Sequence, residues 1–329
     1  MDHPFRRAKP IDSKTCYGVL DAHLSRLSFN LHLKKRSYKG IVRESERNLK
    51  TGLGQLLSAI LLLAGLTYPA SAADSITVHP QSPLDLGYVD LYNLDFPAAH
   101  SQFASWMQTH PNDPLGSASD AAAFLFGEFE RLSIIDVQLF ADQSRFDSRG
   151  KLTPDPAVRK AFEDRADQTN RLADAALARN PKDANALYAK TLVCGMRSDY
   201  ALMIDKRDVQ ALSYSKQASA LSKQTLSINP AMYDAYLASG VENYMLSLKW
   251  APLRWMLSWT GAGTDREEGL RLLRVTASQG HYLAPFARMM LAVAAIRDGH
   301  SQEARDILTA LAREFPRNSL YTRERDRIH

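Results

Sequence analysis

Between residues 301 and 313 the chain has two faces at helical spacing: Ala304, Ile307, Leu308 and Leu311 fall on one side, Gln302, Glu303, Arg305 and Asp306 on the other. The same periodicity is common from residue 85 onward, while the strict alternation of a strand is nearly absent. Proline punctuates these segments at His110-Pro111-Asn112-Asp113, Asn180-Pro181-Lys182-Asp183, Asn229-Pro230-Ala231 and Phe315-Pro316-Arg317-Asn318. Each such site ends one helix and precedes another, because proline cannot continue a helix but is tolerated near the start of the next.

Counting from these prolines exposes a repeat. Twelve positions before them stand Ala99, Thr169, Ala218 and Ala304; eight before stand Phe103, Ala173, Ser222 and Leu308; five before stand Trp106, Ala176, Thr225 and Leu311. Ten positions after the first three stand Ala121, Thr191 and Gly240. Small residues at a fixed position let two helices approach closely, so the recurrence describes an antiparallel helix pair with one crossing point. The spacing predicts five pairs: 85–93 with 95–109, 117–141 with 155–179, 184–202 with 206–228, 232–248 with 264–279, and 283–298 with 301–314. A charged helix near 318–327 is expected as a solvated cap on the stack. Residues 73–84 are expected to be an extended linker, and 85–329 one helical domain.

This pattern resembles the tetratricopeptide repeat, a helical hairpin of about 34 residues. Gly87, Asp95-Phe96-Pro97-Ala98-Ala99, Phe103 and Pro111 match its spacing best, followed by Gly299 through Ala304 and Pro316. The proline intervals of 70, 49 and 86 residues depart from it, which implies long helices, an inserted loop at Asp147–Pro156 and a degenerate unit near Gly269–Gly280. The resemblance implies an all-α fold, a right-handed α-solenoid of antiparallel hairpins. It also implies a protein-protein interaction scaffold, in which the first helix of each pair lines a concave groove. By that analogy Tyr88, Leu91, Tyr188, Leu192, Asp234 and Tyr244 face the groove. These are mostly apolar and aromatic, so the expected partner is a protein or peptide with an apolar or helical segment. Packing within the pairs is an equally good account of the same residues.

The N-terminal part changes the reading of charge. Thr51 to Ala73 carries no charged residue, has Leu56 to Leu66 as its apolar middle, follows Arg43, Arg47 and Lys50, and ends in Ala70-Ser71-Ala72. This is the order of a secretory signal, with cleavage expected after Ala72. The alternative is an uncleaved N-terminal span, which Gly52, Gly54, Gln55, Gly65 and Pro69 disfavour. Some 50 residues precede the apolar run, more than such a leader needs, so initiation near Val42 is expected. The whole chain has a net charge of +5, yet residues 1–72 hold 12 of its 41 basic and 5 of its 36 acidic side chains. The remaining 257 residues have a net charge of −2. Nucleic-acid binding loses its support, and the expected location is the periplasm or cell envelope. Only Cys194 follows Ala72, so an intrachain disulfide is excluded from the exported part.

Little chemistry is written in motifs. No nucleophile elbow, phosphate-binding loop or zinc-binding helix is present. Thr264 or Asp265 is expected to cap the next helix. Glu128, Glu130 and Asp136 are expected on a solvated face, and the histidines lack ligand spacing. Catalytic residues, cofactors and metals are therefore expected to be none. Trp250, Arg254, Trp255 and Trp259 form the most distinctive apolar cluster, read either as a packed connector or as a patch against a membrane or partner. Two further functions stay open: a transporter-associated component that binds a small ligand, which a closed pocket would favour, and an enzyme with a site between helix pairs. The identity of the partner and the oligomeric state are not legible.

Overall fold

The computed structural model describes residues 82–134, 152–248 and 263–328. Residues 1–81, with the expected leader, 135–151, with the first half of the expected inserted loop, and 249–262, with Trp250, Arg254, Trp255 and Trp259, lie outside the described residues. Contacts divide the chain at Thr77–Val78, and everything below concerns the second unit. Its described residues form eleven α-helices and no strand: α1 Pro83–Tyr92, α2 Phe96–Thr109, α3 Pro114–Arg131, α4 Pro156–Arg179, α5 Ala184–Met203, α6 Asp208–Ile228, α7 Tyr236–Ser247, α8 Arg266–Gln279, α9 Ala284–Arg297, α10 Ser301–Glu314 and α11 Ser319–Asp326. The ten helices α1 to α10 make the five expected hairpins of an α-solenoid.

Helix starts follow from local chemistry. Asp95, Asp113, Asp155, Asp183, Asp265 and Asn318 each cap the helix that follows, accepting a backbone N–H left free in its first turn. Ser82 and Asp85 form a reciprocal capping box, which starts α1 two residues before the predicted boundary and shortens the expected linker. The helix expected over 117–141 stops at Arg131, where Ser133 adopts φ 53°. Lys206 at φ 54° delays α6 to Asp208, and a short 3₁₀ turn at Tyr233–Ala235 precedes α7.

The small-residue positions are crossing points. Ala99, Phe103, Thr169, Ala173, Ser222, Thr225, Ala304, Leu308 and Leu311 are fully buried. A Cβ on Gly87 would stand 2.3 Å from the Phe103 ring, and one on Gly269 would stand 2.6 Å from the Tyr244 backbone nitrogen. Glycine at those two places sets how closely α1 meets α2 and α7 meets α8. Small hydroxyls also bond across the crossings, as Ser117 Oγ does with Thr169 Oγ1 at 2.8 Å and Ser222 Oγ with the Ala235 carbonyl at 2.6 Å.

Two expectations about charge are corrected. Glu128 is buried, not solvated: Arg131 Nε and Nη2 each donate to it at 2.7 Å, and Asp155 N does so at 2.7 Å. A carboxylate at that depth is stable because three donors surround it. The terminal helix is solvated only on one side, since Leu320, Tyr321 and the charged Glu324 are buried, with Tyr321 in the core of the last hairpin.

Candidate functional site

The odd-numbered helices, the first of each hairpin, line a mainly apolar cavity of about 130 Å³. Helix α1 gives Tyr88, Leu91 and Tyr92, and α3 gives Ala118, Ala122 and Phe126. The longest contribution comes from α5, where Tyr188, Leu192, Gly195 and Asp199 form one stripe at i, i+4, i+7 and i+11. Asp234, Leu237, Ala238 and Val241 follow at the start of the fourth hairpin, Leu283 and Phe286 in the fifth, and Ser215 and Ala218 reach in from α6.

The first hairpin also touches the last ones, some 190 to 227 residues away in sequence. Tyr88 and Tyr282 stack with centroids 4.5 Å apart, and the Tyr92 hydroxyl donates to the Tyr282 carbonyl at 2.8 Å. His281 Nε2 lies 2.7 Å from Asp85 Oδ1. Arg317 donates to Asp90 at 2.7 Å and Asp95 at 2.8 Å, while Asn318 Nδ2 donates to the Tyr92 carbonyl at 2.8 Å. The expected concave groove is thereby narrowed to a partly open pocket with a tyrosine wall.

Its polar groups differ in what they are free to do. Asp234 is buried and fully engaged: Oδ2 accepts from Tyr282 N at 2.9 Å and Oδ1 from Leu283 N at 3.0 Å. Burial raises its pKa, and the two N–H groups counter that. The Tyr88 hydroxyl accepts from Ser119 Oγ at 3.1 Å. The Tyr188 hydroxyl, by contrast, is buried without a partner among the described residues. Asp199 is half-buried with no hydrogen bond or ion pair among them, and desolvation alone pushes its pKa up to about 7. The lining contains these two aspartates and no Lys, Arg or His among the described residues.

Gly195 is informative in another way. In the middle of a 20-residue helix, glycine costs about 1 kcal/mol relative to alanine. The other glycines inside described helices, Gly87, Gly116, Gly127, Gly240 and Gly269, each have a neighbour that a Cβ would meet; Gly195 has nothing within 4 Å. No packing requirement explains it, and a side chain there would enter the cavity. Gly195→Ala is expected to raise the unfolding free energy by about 1 kcal/mol, visible as a higher urea midpoint at unchanged slope.

Five of the six groove residues, Tyr88, Leu91, Tyr188, Leu192 and Asp234, thus meet on one cavity. Tyr244 does not. It is wholly buried among Leu270, Leu273, Met290 and Ala294, because α8 crosses α7 at Gly269 and covers that face. Asp199, Gly195 and Ser215 were not anticipated, although the α5 stripe that carries two of them starts at Tyr188. Among the described residues no cluster of ligating side chains could hold a metal, and no helix is long and apolar enough to cross a membrane.

No family model and no curated protein matches the chain. Among solved structures, a thermophilic TPR protein of Thermus thermophilus is similar over 75% of this chain and 97% of that one, at 17% identity and a TM-score of 0.38.

Proposed function

We propose that the chain is an exported binding protein of the helical-repeat type that takes a small, mainly apolar molecule between its inner helices. The cavity carries this reading. A bound helix would need a groove about 10 Å across, whereas about 130 Å³ lies between the inner helices. That is room for one aromatic ring or a short chain. The lining follows the usual composition of a ligand pocket, apolar and aromatic walls with a few polar groups among them. A transporter-associated role is the natural context for such a component. The scaffold reading rests on the repeat architecture, which hosts many functions, and it keeps the outer helix faces for a partner. An enzymatic role has no residue constellation in its favour.

Titration of the full-length chain with 1-hexanol, followed by calorimetry and thermal melting, tests the proposal. Saturable binding is expected, with stabilisation of about 2.7 kcal/mol at a hundred times Kd. Gly195→Leu, which fills the space, is expected to abolish it while the protein stays folded. Failure of hexanol and benzene to bind the folded parent overturns the reading. Export is tested separately by sequencing the N-terminus of protein recovered from a bacterial envelope; a mature start at Ala73 is expected, and retention of residues 51–72 argues for the anchored form.

A further inference from the structure

We propose that the cavity binds a small amphipathic amine, with its positively charged nitrogen at Asp199 and its apolar body against the aromatic walls. This deepens the small-ligand reading above and rests on it. Several observations converge on the ligand's chemistry. Asp199 lines the cavity and has no partner among the described residues. A carboxylate beside apolar surface carries a desolvation penalty, which a bound cation relieves. The other charged group of the lining is Asp234, also an acid, and no Lys, Arg or His stands among the described wall residues to receive an anion. Organic acids and phosphates therefore meet a repulsive field, whereas a cation meets an attractive one.

The walls have the same preference. Tyr88, Tyr92, Phe126, Tyr188 and Phe286 all border the space, and the faces of such rings attract an ammonium group. Tyr188 is 3% exposed and borders the cavity, while its hydroxyl oxygen is closed off from solvent and bonds to nothing among the described residues. Tyr188 and Asp199 lie eleven residues apart on one stripe of α5, which separates their backbones by about 16 Å along the helix axis. Gly195 leaves the stretch between them open. A short apolar chain with one cationic end fits the stretch beside Gly195 and Asp199.

Calorimetry on the full-length chain at pH 8 compares hexylamine, 1-hexanol and hexanoate, which share an apolar chain and differ in head-group charge. The amine is expected to bind at least tenfold more tightly than the alcohol, and hexanoate more weakly than either. Asp199→Asn is expected to lower hexylamine affinity at least tenfold, and unchanged far-ultraviolet dichroism shows that the variant is folded. Equal affinity of the parent for amine and alcohol, or an unchanged amine affinity in Asp199→Asn, overturns the amine proposal and leaves the small-ligand reading standing. Failure of all three probes to bind the folded parent overturns both.

Discussion

Replacing Asp234 with alanine is expected to lower the unfolding free energy by about 3 kcal/mol at pH 7. The carboxylate joins two distant parts of the chain. Its oxygens accept the backbone N–H groups of Tyr282 and Leu283, 48 and 49 residues later in sequence. Leu283, at the N-cap position of α9, has no side chain able to cap, so Asp234 supplies the acceptors from another hairpin. It also places negative charge near the positive end of α9. Gly280 makes room for this, since a Cβ there would stand 2.5 Å from Asp234 Oδ1. Alanine leaves two N–H groups unpaired, each costing on the order of 1–3 kcal/mol, and relief of the buried charge returns part of that loss. Asp234→Asn retains one acceptor oxygen, and about half the effect is expected. The same change frees Tyr282, which stacks on Tyr88, so the stacked tyrosines are expected to lose near-ultraviolet dichroism. Urea unfolding of the three proteins checks the order; an alanine variant within about 0.5 kcal/mol of the parent, below the scale of one lost buried hydrogen bond, refutes the bracing role of Asp234.

That role shows where reading along the sequence stops. Proline and small-residue spacing located the hairpins because helix ends and crossings are set by neighbours a few residues away. Thr169, Ala218 and Ala304 are small for one local reason, and their burial follows from it. The groove residues were legible to the extent that the first helix of each pair faces inward. Tyr244 was misplaced because the covering of its face depends on the angle at which α8 crosses at Gly269, which a periodicity does not encode. Contacts such as Arg317 with Asp90, or Tyr282 with Tyr88, depend on rotation accumulated over several hairpins with helices of unequal length. Glu128 read as surface because its donors, Arg131 and Asp155 N, come from a helix end and a loop rather than from a repeat position. Asp199 was within reach: a glycine in mid-helix followed four residues later by a carboxylate, on the stripe of Tyr188 and Leu192, already marks a face that is not simply packed.

Asp199 also sets the second large effect, a dependence of stability on pH. Its carboxyl titrates at about 7 in the folded protein, against about 3.9 in an unfolded chain. Between those values the folded state holds a proton that the unfolded state has released. Stability is therefore full below about pH 4, declines as pH rises through the interval to about 7, and is flat above it. By linkage that interval sets the loss at up to about 4 kcal/mol. Asp199→Asn removes the titration, so the variant is expected to equal the parent at about pH 3 and to exceed it by up to about 4 kcal/mol at about pH 8. The difference between the two proteins, measured by urea unfolding across this range, separates Asp199 from the other acids, whose contributions cancel. A constant difference with pH would mean that Asp199 is solvated like a surface acid. The expected outcome couples stability to binding: the substitution that stabilises the empty protein is the one that removes the anchor for a cationic ligand. A site that carries an uncompensated charge is stabilised by its occupant, and that trade is common where a fold keeps a place for a ligand.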